Sequence, residues 1–341
     1  MQDCSKDAII HSQALSILRL LKKDANKFPR YFGNDASLKA FITQFESLVK
    51  LLSKYPSGSA IDILGLENLI EPFLSLLQSD DAHGHVVEAA IDSLYTFFVQ
   101  CNMLSIIRER ERRALLYRRV VQIVTNCRFE PSDPSHDEVV LSKNAALILD
   151  LFKMPESTEF LEDRDLVSIL EGVLALVFLP RFSDNLKLTS ERTLLSILRI
   201  VFSRLEDISD ANVPYSFDCF GKREDSTPAS PVIDSTKTAS QDKLDIASLE
   251  LQPYTIAPLV SFLKYLAQLL STSESKKHKD RVKLSTLYIL EAIILEHHQR
   301  LLEHPKLLQF IETDCWKSLL LVLTSLIDLD EHSSRQERCV L

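Results

Sequence analysis

Apolar side chains recur along nearly the whole chain at the spacing of one helix face. Leu141, Ala145, Ile148 and Phe152 follow steps of four, three and four, and Leu194, Leu198, Val201 and Leu205 repeat the same rhythm. That rhythm gathers the apolar positions into one stripe and leaves the other faces to solvent, as in an amphipathic α-helix. It predicts helices over 7–24, 36–54, 66–78, 84–101, 104–126, 137–153, 164–179 and 184–206, then over 256–271, 281–302 and 306–329. No segment alternates as a strand would. Helices of this length on short links cannot each bury a face alone, so they are expected to stack in pairs. The expected fold class is all-α, an armadillo/HEAT-like right-handed helical solenoid with a period of about 40 residues.

Local signals mark the boundaries. Pro29, Pro56, Pro155 and Pro180 fall at predicted helix ends, where a missing amide hydrogen does little harm. Ser135-His136-Asp137-Glu138 has the S-x-x-E form of a capping box. In that reading the Ser135 oxygen accepts from the Glu138 amide, and the Glu138 carboxylate reaches back to the Ser135 amide. The helical pattern stops over 209–252, where Ser, Thr, Asp and Pro dominate, and this stretch is predicted to be a flexible linker. Its Thr227-Pro228 and Ser230-Pro231 pairs make Thr227 and Ser230 candidate phosphorylation sites. A second polar loop is predicted from Ser271 to Arg281. The organisation expected is a helical domain over 1–208, the linker 209–252, and a second, partial helical domain over 253–341.

Composition sharpens the helical reading. The 341 residues include only 6 glycines, against roughly 24 at an average usage of about 7%. Sheets and nucleotide-binding α/β folds need glycine for turns and close backbone approach, so both are disfavoured. With 39 Lys and Arg against 48 Asp and Glu, the net charge is −9, which argues against a nucleic-acid binder. Cys4, Cys101, Cys127, Cys219, Cys315 and Cys339 are scattered without a C-x-x-C pair. They read as reduced thiols rather than a disulfide framework or a structural zinc site. The N-terminus lacks the pattern of a signal peptide. Val173–Leu179 is too short to span a bilayer, and Cys339 stands third rather than fourth from the end, so the prenylation motif fails. The protein is expected to be soluble, or at most peripheral to a membrane.

Chemistry-bearing motifs are missing: there is no P-loop, G-x-G-x-x-G, G-x-S-x-G or H-E-x-x-H. No catalytic residues, cofactor or metal are therefore expected. His297 and His298 read as a solvated helix end rather than as ligands. One cluster stands out, Arg108 to Arg119, with Arg108, Arg110, Arg112, Arg113, Arg118 and Arg119. Arg108, Arg112, Arg113 and Arg119 form a candidate patch for anionic lipid or an acidic partner. The plainer alternative is a solvated face partly offset by Glu109 and Glu111.

Three ordered segments carry a family likeness. They are Leu69-Ile70-Glu71-Pro72-Phe73-Leu74 continuing to Gln78-Ser79-Asp80-Asp81; Cys127-Arg128-Phe129-Glu130-Pro131-Ser132-Asp133-Pro134 with Asp137-Glu138-Val139-Val140-Leu141-Ser142-Lys143; and Ser190-Glu191-Arg192-Thr193-Leu194 through Phe202-Ser203-Arg204-Leu205. In this order they resemble the N-terminal dimerisation and cyclophilin-binding domain of large Arf guanine-nucleotide exchange factors, most closely the Golgi brefeldin A-resistance branch. The second segment is the most specific. Past the linker, Pro253-Tyr254-Thr255-Ile256 and Phe262-Leu263-Lys264-Tyr265-Leu266 look like the start of the family's upstream homology region. The likeness covers most of 5–208 and roughly 253–329. The asparagine-rich box of that region and the catalytic exchange domain have no counterpart here. The chain is accordingly expected to be a fragment, a splice variant or a truncated gene model, or else a free-standing regulatory relative.

The resemblance implies a regulatory, dimerisation and membrane-targeting scaffold of a Golgi Arf exchange factor, acting in vesicle traffic. It implies self-association as a homodimer, contact with the upstream homology region of the same or a partner chain, and binding to Arf/Rab-type small GTPases or Golgi tethers. Peripheral contact with Golgi membranes from the cytoplasm is also implied, without nucleic acid. Arg128, Asp137, Glu138 and Lys143 are the candidate interface residues, although local capping explains Glu138 without a partner. The competing reading is a free-standing helical-repeat adaptor or tethering protein unrelated to nucleotide exchange.

Overall fold

The structure, a computed structural model, describes residues 6–27, 36–55, 60–131, 133–179, 182–208, 215–217, 253–271 and 278–324. Among these residues the architecture is all-α. The helices are α1 Lys6–Lys27, α2 Ala36–Leu52, α3 Ala60–Leu64, α4 Leu66–Leu77, α5 Gly84–Leu94, α6 Arg110–Thr125 and α7 Pro134–Lys153. They continue with α8 Glu156–Phe160, α9 Asp163–Phe178, α10 Asp184–Ser203, α11 Ala257–Ser271, α12 His278–Glu303 and α13 Pro305–Phe310. A π-helical turn, Ile311–Cys315, carries α13 on into a last helical stretch that runs to residue 324.

The long helices form two rows. In one row α1, α5, α7, α10 and α12 pack in succession; in the other, α2, α4, α6, α9, α11 and α13 do so. Each helix also packs across the rows, as α1 on α2, α5 on α4, α7 on α6, α10 on α9 and α12 on α11. This is a helical solenoid, in which each helix pair covers the apolar face of its neighbour. A single apolar core runs through it from Ile10 to Cys315. Near one end, Phe45, Phe73 and Phe97 meet edge to face with ring centroids 5.2 and 5.1 Å apart, the geometry that aromatic quadrupoles favour.

Polar links between successive repeats show the period directly. Arg112 to Glu67, Arg119 to Glu71, Arg118 to Glu162, Lys143 to Asp92 and Ser183 to Glu138 join residues separated by 45, 48, 44, 51 and 45 positions. Beyond residue 209 the separation doubles: Arg199 binds Glu296 and Arg281 binds Asp184, each 97 positions apart. The segment 209–252 is thus inserted between two consecutive turns of the stack, and α11 and α12 pack directly on α9 and α10.

Several predicted boundaries shift for identifiable reasons. The helix expected over 84–101 is α-helical only to Leu94, then widens into a π-turn over Tyr95–Gln100. Asn102 follows with a left-handed backbone, φ 41°, and ends it. A single 3₁₀ turn, Met103–Ile106, precedes α6, which starts at Arg110 rather than 104. The short helices α3 and α8 were not predicted. Gly65, with φ 80°, provides the turn into α4. At Gly172 a Cβ would stand 3.0 Å from Thr125 Cγ2, so glycine lets α9 approach α6. Of the predicted polar loop from Ser271, residues 278–281 are helical, because α12 begins at His278.

His297 and His298 sit at a break in α12. His297 (φ −124°, ψ 17°) is non-helical and kinks the helix, and its ring is half-buried on Phe202 at 4.3 Å rather than solvated, whereas His298 is exposed. Burial pushes the His297 pKa down. Beside it, the Arg300 guanidinium donates to the Phe202 carbonyl at the end of α10.

Candidate interaction seam

The family-like motif 127–143 folds onto α5. Its first part runs beside the loop that follows α4. The Arg128 amide donates to the Leu77 carbonyl and the Glu130 amide to the Ala82 carbonyl, both at 2.9 Å, while Phe129 is buried. An isolated parallel bridge joins His83 to Glu130. The order of residues in this motif therefore has a structural basis: two loops one repeat apart zip together by their backbones.

Each candidate interface residue has a place in this seam. Arg128 pairs with Asp80 at 3.0 Å. Lys143 bridges Glu88 at 2.9 Å and Asp92 at 2.7 Å on α5, and these carboxylates raise its pKa against the opposing effect of burial. Asp137 is buried against α5, with Oδ1 near Gly84. Glu138 points the other way, to α10. Its carboxylate accepts from the Ser183 amide and from Ser183 Oγ, the latter at 2.7 Å. Asp137, Glu138 and Lys143 lie on α7, in the α5–α7–α10 row, whereas Arg128 stands in the loop before it, against the end of α4, so the four do not form one cluster.

The Ser135–Glu138 capping box does not form. Asp133 is the N-cap and Pro134 the first residue of α7, so the helix begins a few residues earlier than predicted. Asp before Pro is a strong start signal in its own right, and it places Ser135 inside the first turn. Glu138 is then free to reach the N-terminus of the next helix in the row. A reciprocal capping box does occur at α9, between Glu162 and Asp165.

Three histidines missed by sequence reasoning line the same seam. His83 Nδ1 lies 2.8 Å from Glu130, His85 Nε2 lies 2.8 Å from Asp24, and His136 Nε2 lies 3.8 Å from Glu88. The rings of His83 and His85 stack at 6.0 Å. Their sequence positions carry no motif, since His136 stands about one repeat away from the other two. Among the described residues, no group of three or more His, Cys, Asp or Glu side chains is arranged to hold a metal ion.

The arginines of α6 face acids on both neighbouring helices. Arg112 meets Glu67 at 3.1 Å and Glu109 at 3.5 Å, and Arg119 meets Glu71 at 2.7 Å. Arg113 and Arg110 lie over the Phe160 ring as cation–π partners. Arg108 is exposed. Arg118 is largely enclosed, gripping Glu162 and Asp165. Glu67 is the main cause of the raised pKa of Arg112. The cluster thus supplies cross-links between turns of the stack, and the free positive charge on this face is smaller than the sequence implies.

Thr227 and Ser230 lie outside the described residues, as do Pro29, Pro56, Pro180, Cys4, Cys219 and Cys339. The insertion that carries the two phosphorylation candidates is rooted at one carboxylate. Asp163 Oδ2 accepts from Tyr215 Oη and from Thr255 Oγ1, each at 2.9 Å, and its Oδ1 accepts from the Thr255 amide. Phe217 packs on Phe262 and Tyr265, and Tyr254 packs on Phe152. Cys127 is half-buried, and desolvation pushes its thiol up to about 12. Among the described residues, no helix is long and apolar enough to cross a membrane.

No protein-family model matches the chain. Over most of its length it is similar to exchange factors. ARF guanine-nucleotide exchange factor 2 of Saccharomyces cerevisiae is 23% identical, over 83% of this chain and 22% of its own length. In Arabidopsis thaliana, ARF guanine-nucleotide exchange factor GNL1 is 24% identical over 92% of this chain and 25% of its own length, and ARF guanine-nucleotide exchange factor GNOM is 22% identical over 92% and 24%. The chain thus spans about a quarter or less of these curated relatives.

Proposed function

We propose that this chain, whose relatives over most of its length are ARF guanine-nucleotide exchange factors, is the regulatory and self-associating scaffold of such a factor. Its own activity is binding: to a second copy, to other parts of the exchange factor, and to ARF-type GTPases or tethers at Golgi membranes. Nucleotide exchange belongs to the parts of the relatives that this stretch does not match. The observation that carries this reading is a likeness spread over the whole solenoid, rather than confined to one short motif. A solenoid supports it physically, because stacked repeats present long continuous surfaces for partners.

Two measurements on the purified chain test the proposal. Co-precipitation of differently tagged copies is expected to succeed. Release of a fluorescent nucleotide from ARF is expected to proceed at its uncatalysed rate. Accelerated release by the chain alone, or copies that do not associate, would overturn it.

A further inference from the structure

Three histidines stand where α1, α5 and α7 meet, and each faces a carboxylate on another segment. His85 of α5 faces Asp24 of α1 at 2.8 Å. His83, just before α5, faces Glu130 of the loop before α7, also at 2.8 Å. His136 of α7 faces Glu88 of α5 at 3.8 Å. The rings are neighbours, with centroids 6.0 Å apart for His83 and His85 and 6.4 Å apart for His85 and His136.

The fixed charges around them are mostly negative. Asp24 stands on α1, Asp80 and Asp81 after α4, Glu88 and Asp92 on α5, Glu130 before α7, and Asp133 and Asp137 at the start of α7. The cations Arg128 and Lys143 are already engaged, one with Asp80 and the other with Glu88 and Asp92. The three pairs are not equal. The Asp24 side chain is only 5% exposed and lodges beside Leu21, Leu38, Phe41, Leu76 and Val86, and a carboxylate so enclosed calls for a cationic partner. The Glu130 side chain is half exposed, so its pair with His83 contributes less.

Imidazole changes its charge between about pH 5 and 8. An imidazolium donates a charge-assisted hydrogen bond to a carboxylate, about twice as strong as a neutral one. Protonating His83 and His85 together sets two like charges side by side, but Glu130 and Asp24 flank them. A histidine that gains an acidic partner on folding contributes fully below its unfolded titration range. That contribution is lost as pH rises through the folded one. The seam is then tight on the acidic side of neutrality and looser on the basic side.

We infer that the joint between α1, α5 and α7 is a pH-sensitive contact, tightened by protonation of His85 against Asp24 and, more weakly, of His136 against Glu88 and His83 against Glu130. The inference stands apart from the function proposed above, since it concerns how firmly the first turns of the stack hold together.

Hydrogen exchange of the full chain at about pH 6 and pH 8, corrected for the intrinsic exchange rate at each pH, tests it. The reporters are peptides holding Val86 and Val87, whose amides donate to the His83 carbonyl, and Arg128 and Glu130, whose amides donate to Leu77 and Ala82. In the wild type their protection should be at least about threefold higher at the lower pH. Replacing His83, His85 and His136 together by Gln should abolish that difference, while α9 and α11 exchange as in the wild type. Asp24→Asn, which removes the enclosed charge at nearly constant shape, should abolish most of it, and it decides the matter even where the triple variant fails to fold. Equal protection at the two pH values in the wild type would overturn the inference, as would a difference that survives in the triple variant. A difference that survives undiminished in Asp24→Asn would overturn the leading role of the Asp24–His85 pair.

Discussion

Replacing Arg118 with Met should destabilise the solenoid more than any other loss of a single charge on α6. The guanidinium donates to Asp165 Oδ2 at 2.9 Å and, through both terminal nitrogens, to Glu162. Its side chain is 16% exposed, and that of Asp165 only 1%. Methionine keeps the aliphatic stem, so the change isolates the charge. Asp165 would then be an enclosed carboxylate held only by the Gln122 amide at 2.8 Å and the Glu162 backbone amide at 3.0 Å. Breaking a buried pair from one side costs about 3–5 kcal/mol. The two surviving hydrogen bonds put the expectation at the lower end, about 3 kcal/mol. Urea unfolding followed by helical circular dichroism measures it. With a slope of about 3 kcal/mol per molar, the midpoint should fall by about 1 M. Arg112→Met is the control, because its pairs with Glu67 and Glu109 are half exposed and such pairs contribute about 0–1 kcal/mol. Asp165→Asn in the Arg118→Met background should recover part of the loss by removing the stranded charge. A loss below about 1 kcal/mol for Arg118→Met, matching the control, would refute the view that this pair is a buried cross-link.

Three further outcomes are expected. Glu138→Ala should cost about 0.5–2 kcal/mol by uncapping α10 at Ser183, whereas Ser135→Ala should change thermal stability little; equal losses would revive the local capping box. Burial raises the Glu191 pKa against the opposing pull of Lys187, so its carboxyl favours folding only while protonated, and that contribution is lost as pH rises through the folded pKa. Glu191→Gln should therefore stabilise the protein at neutral pH, with the gain fading toward pH ~4; urea midpoints at the two pH values check the sign. Replacing Arg108, Arg112 and Arg119 together by Glu should leave flotation with anionic liposomes nearly unchanged, since Glu67 and Glu71 already offset two of them. A strong drop at low salt would make this face a membrane contact.

The all-α class and most helices were legible because a 3.6-residue rhythm needs no knowledge of neighbours. The link between Glu138 and Ser183 was not, because it joins positions 45 residues apart. There a local match, S-x-x-E, competed with Asp133-Pro134 for the start of α7, and the proline with its fixed φ prevailed. The arginine cluster was visible as charge but not as cross-links, since each acid partner lies one repeat away on another helix. The histidine seam left no trace in the sequence for the same reason.

The double anchoring of the insertion at Asp163 has a consequence for how freely this protein can change. Tyr215 and Thr255 are tied to the same carboxylate, so the chain leaves the stack and returns to it at one point. The helices on either side meet as they would if nothing stood between them. Closing a loop costs entropy only logarithmically in its length, about 0.6 kcal/mol for each doubling. The register of the repeats on either side is therefore set at Asp163, by residues on the stack itself, and not by the length of chain between Tyr215 and Thr255.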